Sequence, residues 1–290
     1  MRTEVRRVGT EAFEEIYPLL QRFPTRRMSK ADWRWLLFTN PWADRTRCGH
    51  ALYVDGSVVG YIGTLCTTRR VLGRTERFCN PSSWIVLEEY RWASHLLLRP
   101  IVALEDHTLV CLTPSDAACR MFTRLGLRML ETEQLVLAPV PRIAEVARAC
   151  AGSFTTSIEE IQAELTEDER TLCKDLSSSP VAHHVLLSRG KRRCYMVATL
   201  ARKRHVPYAE IQYLGDRELF WEQRLLAHAA LFRSMGVPGL ALAVDRRFLV
   251  GRPPPAALRW KKARMYRPTR DDLTPELIDG LYSELMGIRY

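Results

Sequence analysis

The residues best equipped for chemistry lie between positions 80 and 130. An apolar run through Trp84, Ile85 and Val86 ends at Leu87 and two adjacent carboxylates, Glu88 and Glu89, followed by Tyr90, Arg91, Trp92, Ser94, His95 and Leu96. A carboxylate at a strand end can take a proton from an attacking amine or hydroxyl, and a neighbouring arginine can hold an anion. Two solvated carboxylates neutralising Arg91 would produce the same pattern. His95 could touch a phosphate or lie on a helix surface. Cys111 is mid-strand without an identifiable base, which fits a buried thiol better than a nucleophile. His183 and His184 adjoin on a strand, so they point to opposite faces and cannot make a same-face metal pair. Gly56, Gly60 and Gly63 punctuate a hairpin; no helix start follows them, so they form no phosphate loop.

These groups must be positioned by a mixture of strands and helices. Residues 5–8 read as a first strand, and Phe13, Ile16, Tyr17, Leu19 and Leu20 recur at helical spacing before Pro24. A short helix over 30–38 precedes Asn40-Pro41. Residues 49–54 and 58–66 flank the Asp55-Gly56 turn, and 79–87 forms a third strand. A helical stretch over 92–98, a strand over 107–112, a helix from Ser115 closing at Gly126 and a strand over 130–137 follow. The second half repeats this order in weaker form: a polar helix over 157–176, strands over 183–187, 194–201 and 208–213, a helix over 218–235 and a strand over 239–244. Duplication of one plan predicts two modules, residues 1–140 and 141–290, each with a mixed sheet and helices on its faces.

At 290 residues and 47% hydrophobic content, the chain has ample material for packed cores. No stretch reaches the length of a membrane-spanning helix and the first residues lack a secretory apolar run, so a cytoplasmic address is the default expectation. Eight cysteines without a Cys-x-x-Cys pair indicate neither a disulfide framework nor a zinc knuckle, and no metal is expected. The net charge of +10 favours anionic ligands. It is spread in short groups such as Lys191-Arg192-Arg193 and Arg202-Lys203-Arg204, which could grip phosphates while Tyr195 or Tyr208 stacks a base, although no nucleic-acid motif accompanies them.

The order of elements across residues 80–130 resembles the core of the GNAT superfamily of acyl-CoA-dependent N-acyltransferases. In that family an acidic-aromatic-basic step leads into Arg/Gln-x-x-Gly-x-Gly/Ala, whose backbone amides hold the pyrophosphate of coenzyme A. Here Glu89-Tyr90-Arg91 matches the lead-in, while Ser94 and Leu96 take the small-residue positions. A serine can be accommodated there; a leucine obstructs close approach of backbone to phosphate, and Trp92, Leu96 and Leu97 would equally serve to pack a helix. The family's second motif, Asn-x-x-Ala-x-x-x-Tyr-x-x-x-Gly-Phe, aligns with Ser115, Ala118, Phe122, Gly126 and Leu127. Phe122 keeps the ring but has no hydroxyl to protonate a leaving thiolate.

The resemblance implies an α/β fold of two tandem GNAT-like modules and transfer of an acyl group from acetyl-CoA or another acyl-CoA to an amine or hydroxyl of a small-molecule or polymer acceptor. Val86, Leu87, Arg91, Trp92, Ser94, His95 and Ser115 would hold the donor. The base would be Glu88, because Trp84 and Val86 share its face by strand alternation. The second module has Gly215-Asp216-Arg217-Glu218 in place of a cofactor turn and reads as a structural or substrate-binding half. Two other readings stand beside this one: a non-catalytic tandem binding protein, and a Fem-type transferase using aminoacyl-tRNA.

Overall fold

The computed structural model describes residues 2–24, 28–140, 143–203, 206–254 and 256–288. Arg204 of the basic groups lies outside them. The chain divides into two compact units, one of Met1–Leu130, Ala263–Leu277 and Tyr282–Ile288, the other of Glu131–Lys262, Ile278–Leu281 and Arg289–Tyr290.

In the first unit β1 (Thr3–Val8) leads to α1 (Phe13–Leu20) and α2 (Lys30–Arg34). Ser29 caps α2 in a reciprocal box with Asp32, satisfying two of the amides that a helix start leaves open. Strands β2 (Gly49–Val54), β3 (Ser57–Val71) and β4 (Arg74–Val86) continue an antiparallel meander from β1. β4 begins five residues before the strand expected over 79–87, because its polar start pairs with the end of β3. A 3-10 segment (Glu88–Leu98), α3 (Arg99–Val102), β5 (Thr108–Cys111) and α4 (Asp116–Arg124) follow. Alternation along the strands sorts two cores. Tyr61 and Leu65 pack with Phe13, Ile16 and Phe38, while Ile62 and Cys66 pack with Leu97, Ile101 and Phe122.

One glycine in this sheet is dictated by its surroundings. Gly49 has φ +153°, and a Cβ there would stand 2.3 Å from the Ile62 carbonyl oxygen and 2.7 Å from the Tyr61 ring. That ring cannot swing away freely, since its hydroxyl donates to the Cys48 carbonyl at 2.6 Å. Gly49→Ala should therefore cost at least ~3 kcal/mol, read as a fall in the urea midpoint; an unchanged midpoint would show that β2 can shift aside.

The second unit carries β6 (Arg128–Leu137), α5 (Ile143–Cys150), β7 (Ser153–Thr155), α6 (Ile158–Glu164) and α7 (Glu167–Leu176). The single polar helix expected over 157–176 is thus two helices. Leu165 turns extended, and Thr166 starts α7 with a capping box to Glu169. Then come β8 (Ala182–Arg189), β9 (Arg192–Lys203), β10 (Val206–Leu214), α8 (Arg217–Glu222), α9 (Arg224–Met235) and β11 (Ala241–Asp245). Its core joins Val185, Met196 and Ile211 from the sheet to Phe220, Leu231 and Leu242.

A last strand, β12 (Leu258–Arg267), completes the first unit by pairing antiparallel with β5, and β6 completes the second by pairing antiparallel with β11. Each unit therefore has the same plan: an antiparallel run, a parallel pair (β4 with β5, β10 with β11) and an antiparallel strand beyond it. The fold is mixed α/β, as the order of elements predicts.

Part of the basic hairpin of the second unit is neutralised. Arg192 pairs with Asp216 and Glu222 at 2.9 Å, Arg193 with Glu164 at 2.9 Å, and Arg189 with Glu222 at 2.8 Å. Tyr195 and Tyr208 are buried in their sheet and present no ring for stacking a base. His183 and His184 indeed part company: His183 meets Ser234, and His184 meets the Tyr195 hydroxyl at 2.8 Å.

Candidate functional site

The first unit opens between β4 and β5. These parallel strands share only two register pairs, Phe78 with Thr108 and Cys79 with Leu109. One residue later the Asn80 side chain replaces the ladder by donating to the Val110 carbonyl at 2.8 Å. Pro81 then has no N–H to give, and the strands separate. On its other side β4 stays paired with β3 but is bulged: Tyr61 faces Ile85 and Gly63 faces Ser82, so Ile62 opposes both Ser83 and Trp84. Ser83 takes the left-handed conformation, φ +54°. Beyond the bulge Trp84 and Val86 pack on one core, as alternation expects, but β4 ends at Val86 and Glu88 opens the 3-10 segment, so strand alternation does not carry to Glu88.

The cleft so formed has a volume of about 240 Å³. Its walls are mainly apolar, with Phe23, Trp33, Trp84 and Phe122 supplying aromatic surface and Ala118 a small floor. Trp84 and Phe122 pack with ring centroids 6.4 Å apart. Polar groups come from Ser82, Ser83, Thr113 and Ser115. Ser115 caps α4, accepting from the Ala118 amide at 3.2 Å, and Gly126 ends that helix with φ +86°.

Nε1 of Trp84, on the cleft wall, and Oε2 of Glu284, behind it, are buried without a hydrogen-bond partner among the described residues. The indole N–H belongs to the cleft wall and is available to a ligand there, whereas Glu284 is packed behind Thr113. Glu284 comes from near the end of the chain. It is 1% exposed; its Oε1 accepts from the Thr113 hydroxyl at 2.7 Å, and its own amide donates to Asn80 at 3.1 Å. Burial raises its pKa above the ordinary glutamate value. No sequence signal singles it out; only the long-range packing of its segment beside β5 reveals it. Cys111, a wall of the same cleft, is buried, and burial pushes its thiol well up, which suits an inert side chain.

The residues expected to hold a donor lie along the end of β4 and the 3-10 segment. Val86 and Leu87 are partly buried against the core, as is Leu96, and Leu97 is fully buried, whereas Trp92 is 54% exposed. Ser94 is half-buried. Glu88 and Arg91 form a 3.6 Å ion pair with side chains 81% and 70% exposed. Neither lines the cleft; of the expected residues Ser115 does. His95 donates from Nδ1 to the Trp92 carbonyl and borders a separate groove of about 500 Å³ with Arg99, Val102, Met121 and Leu125. Among the described residues no group of three or more His, Cys, Asp or Glu stands where it could hold a metal ion.

No family profile and no curated protein matches the sequence. Solved structures do match in fold. A GCN5-related N-acetyltransferase from Anabaena variabilis aligns with a TM-score of 0.60 at 13% identity, covering 93% of this chain and 73% of that one. A GCN5-related N-acetyltransferase from Kribbella flavida gives 0.57 at 10% identity, over 92% and 72%. A tandem GNAT protein from the clavulanic acid biosynthesis pathway gives 0.55 at 12% identity, over 93% of this chain and 99% of that one. With the strand splay and the bulge seen in the first unit, these likenesses establish that this chain has the GNAT fold.

Proposed function

We propose that the chain is a GNAT-type acyltransferase that carries an acyl group from acetyl-CoA or another acyl-CoA to an amine or hydroxyl, with the reacting carbonyl in the cleft between β4 and β5. The observation that carries this reading is the cleft itself: two parallel strands forced apart at Pro81, a bulge at Ser83, and an indole N–H of Trp84 left unpaired beside an apolar channel. A thioester arm is a thin, mostly apolar chain with a few polar atoms, and such a slot suits it. The turn of residues 86–95 would take the charged end of the donor, with Arg91 as its cation. The aromatic lining of Phe23 and Trp33 favours an acceptor with an apolar or aromatic body.

Binding of acetyl-CoA to the folded chain must raise its stability, by about 2.7 kcal/mol at a hundredfold excess over Kd. A thermal or calorimetric titration showing no response at millimolar acetyl-CoA would remove the reading. Arg91→Ala should weaken binding roughly tenfold through loss of one charge-assisted contact. Glu88→Gln separates two roles for the carboxylate favoured by the sequence. A fall in kcat of ~10²-fold would make it the base, whereas its solvated pairing with Arg91 predicts a change confined to donor affinity.

A further inference from the structure

We propose that Thr113 and Glu284 form a proton relay for the acyl transfer, in which the Thr113 hydroxyl at the cleft wall takes a proton from the attacking nitrogen while passing its own to the buried Glu284. The inference rests on the acyl-transfer reading and adds residues that the GNAT motifs in the sequence do not contain.

Three features of the site lead to it. Thr113 is exposed and lines the cleft, while Glu284 is 1% exposed and does not, so the hydroxyl is the group a substrate can meet. The 2.7 Å bond runs from Thr113 Oγ1–H to Glu284 Oε1, the direction in which a hydroxyl surrenders a proton to a base. The Glu284 backbone amide donates to Asn80, the residue at which β4 and β5 part, so the relay is anchored at the mouth of the splay.

The step balances without any further reagent. The nitrogen–carbon bond forms as the carbon–sulfur bond breaks, the sulfur leaving with the electron pair. The proton lost by nitrogen goes to Thr113 Oγ1 and that of Thr113 to Glu284 Oε1. Reversal of the same two transfers delivers a proton to the thiolate and returns Glu284 to its ionised form. Thr113 is the catalytic residue here, and Glu284 is a positioning residue that acts through it. The charged or titratable groups that bear on Glu284 are Arg264 from β12, which favours the carboxylate, and Cys111 from β5, whose thiol stays protonated. Burial opposes Arg264 and prevails, which moves the base toward working pH.

The test uses the full-length chain with acetyl-CoA and hydroxylamine, a nucleophile too small to need an acceptor pocket. Thr113→Val and Glu284→Gln are each expected to lower kcat by ~10²-fold or more, with the KM for acetyl-CoA unchanged. Both should abolish the acid limb of the kcat–pH profile, and Thr113→Ser should recover most of the rate. A structural role alone would alter the melting temperature but leave that limb in place. Infrared difference spectra of wild type against Glu284→Gln give a readout independent of turnover: a carboxylic acid band that titrates above solvated glutamates and moves in Thr113→Val. Undiminished kcat in both variants, an acid limb that persists, or a Glu284 band indifferent to Thr113→Val would each overturn the relay. So would a wild-type chain that binds acetyl-CoA yet forms no hydroxamate above the uncatalysed rate. Absence of acetyl-CoA binding would instead overturn the acyl-transfer reading, and the relay with it.

Discussion

On the acyl-transfer reading, an Ala118→Trp chain is expected to fold and to lose most of its stabilisation by acetyl-CoA. Ala118 lies on the first turns of α4, half-buried, with its methyl on the floor of the cleft. An indole there projects into the cavity between Trp84 and Phe122 and occupies a large part of about 240 Å³. The helix loses little, because tryptophan costs roughly 0.5 kcal/mol in propensity relative to alanine and Ser115 still caps it. Donor affinity should fall at least ~100-fold, the loss of some 2.7 kcal/mol or more of binding energy. Titration calorimetry beside a circular-dichroism melt decides the matter. Retained binding in a folded variant would put the donor outside this cleft, in which case the groove of His95, Arg99 and Met121 becomes the place to look.

Acidification should weaken the second unit well before its carboxylates protonate. His184 and His228 are both buried, and burial pushes each down to about 4 from an ordinary value near 6.5. His228 is held by the Leu240 carbonyl and His184 by the Tyr195 hydroxyl, neither of which supplies the negative charge that an imidazolium would need. The folded state keeps both rings neutral while the unfolded chain protonates them. The unfolded state thus binds more protons between pH 6.5 and 4, and stability is lost as pH falls through that window. Each ring contributes on the order of 3 kcal/mol when the whole window is crossed, an upper figure since local opening would relieve part of it. Hydrogen-exchange protection of β8 to β10 should decline steeply from pH 6.5 to 4, and His184→Gln with His228→Gln should flatten the decline. An equal slope in the double variant would show that other groups carry it. Exposed carboxylates lowered by ion pairs, such as Glu14 beside Lys30 and Arg34 and Asp106 beside His107 and Arg77, act only below the ordinary carboxylate range and so do not obscure this window.

Much of the scaffold was legible because its signals are local. Helix α4 is announced by Ser115 at its cap and Gly126 at its close, and both do what those residue types do at helix ends. The turn at Asp55-Gly56 and the strands on either side follow from composition and alternation over a few residues. The repeated order of elements in the two halves is visible for the same reason. Strand β12 has no local signature, because Arg259, Lys261, Lys262 and Arg264 interrupt its apolar residues. Buried Arg264 is tolerated there only because of partners distant in sequence, and no local pattern encodes such partners.

The candidate site divides along the same line. Periodicity and capping determined that a strand ends near Val86, that a turn with Glu88 and Arg91 follows, and that a helix carrying Ala118 and Phe122 packs behind the next strand. Tertiary structure decided which of these residues face one another. Pro81 ends a ladder with β5 that exists only once the chain has closed around 30 residues between them. The bulge at Ser83 arises from register against β3, with no glycine to foretell it. Glu284 reaches Thr113 across 171 positions of sequence. Spacing along a chain specifies helices and strands because their hydrogen bonds and side-chain periods are short-range. Which carboxylate is buried beside a cleft and which is left in water depends on contacts made at the end of folding, and those brought Glu284 inside and left Glu88 outside.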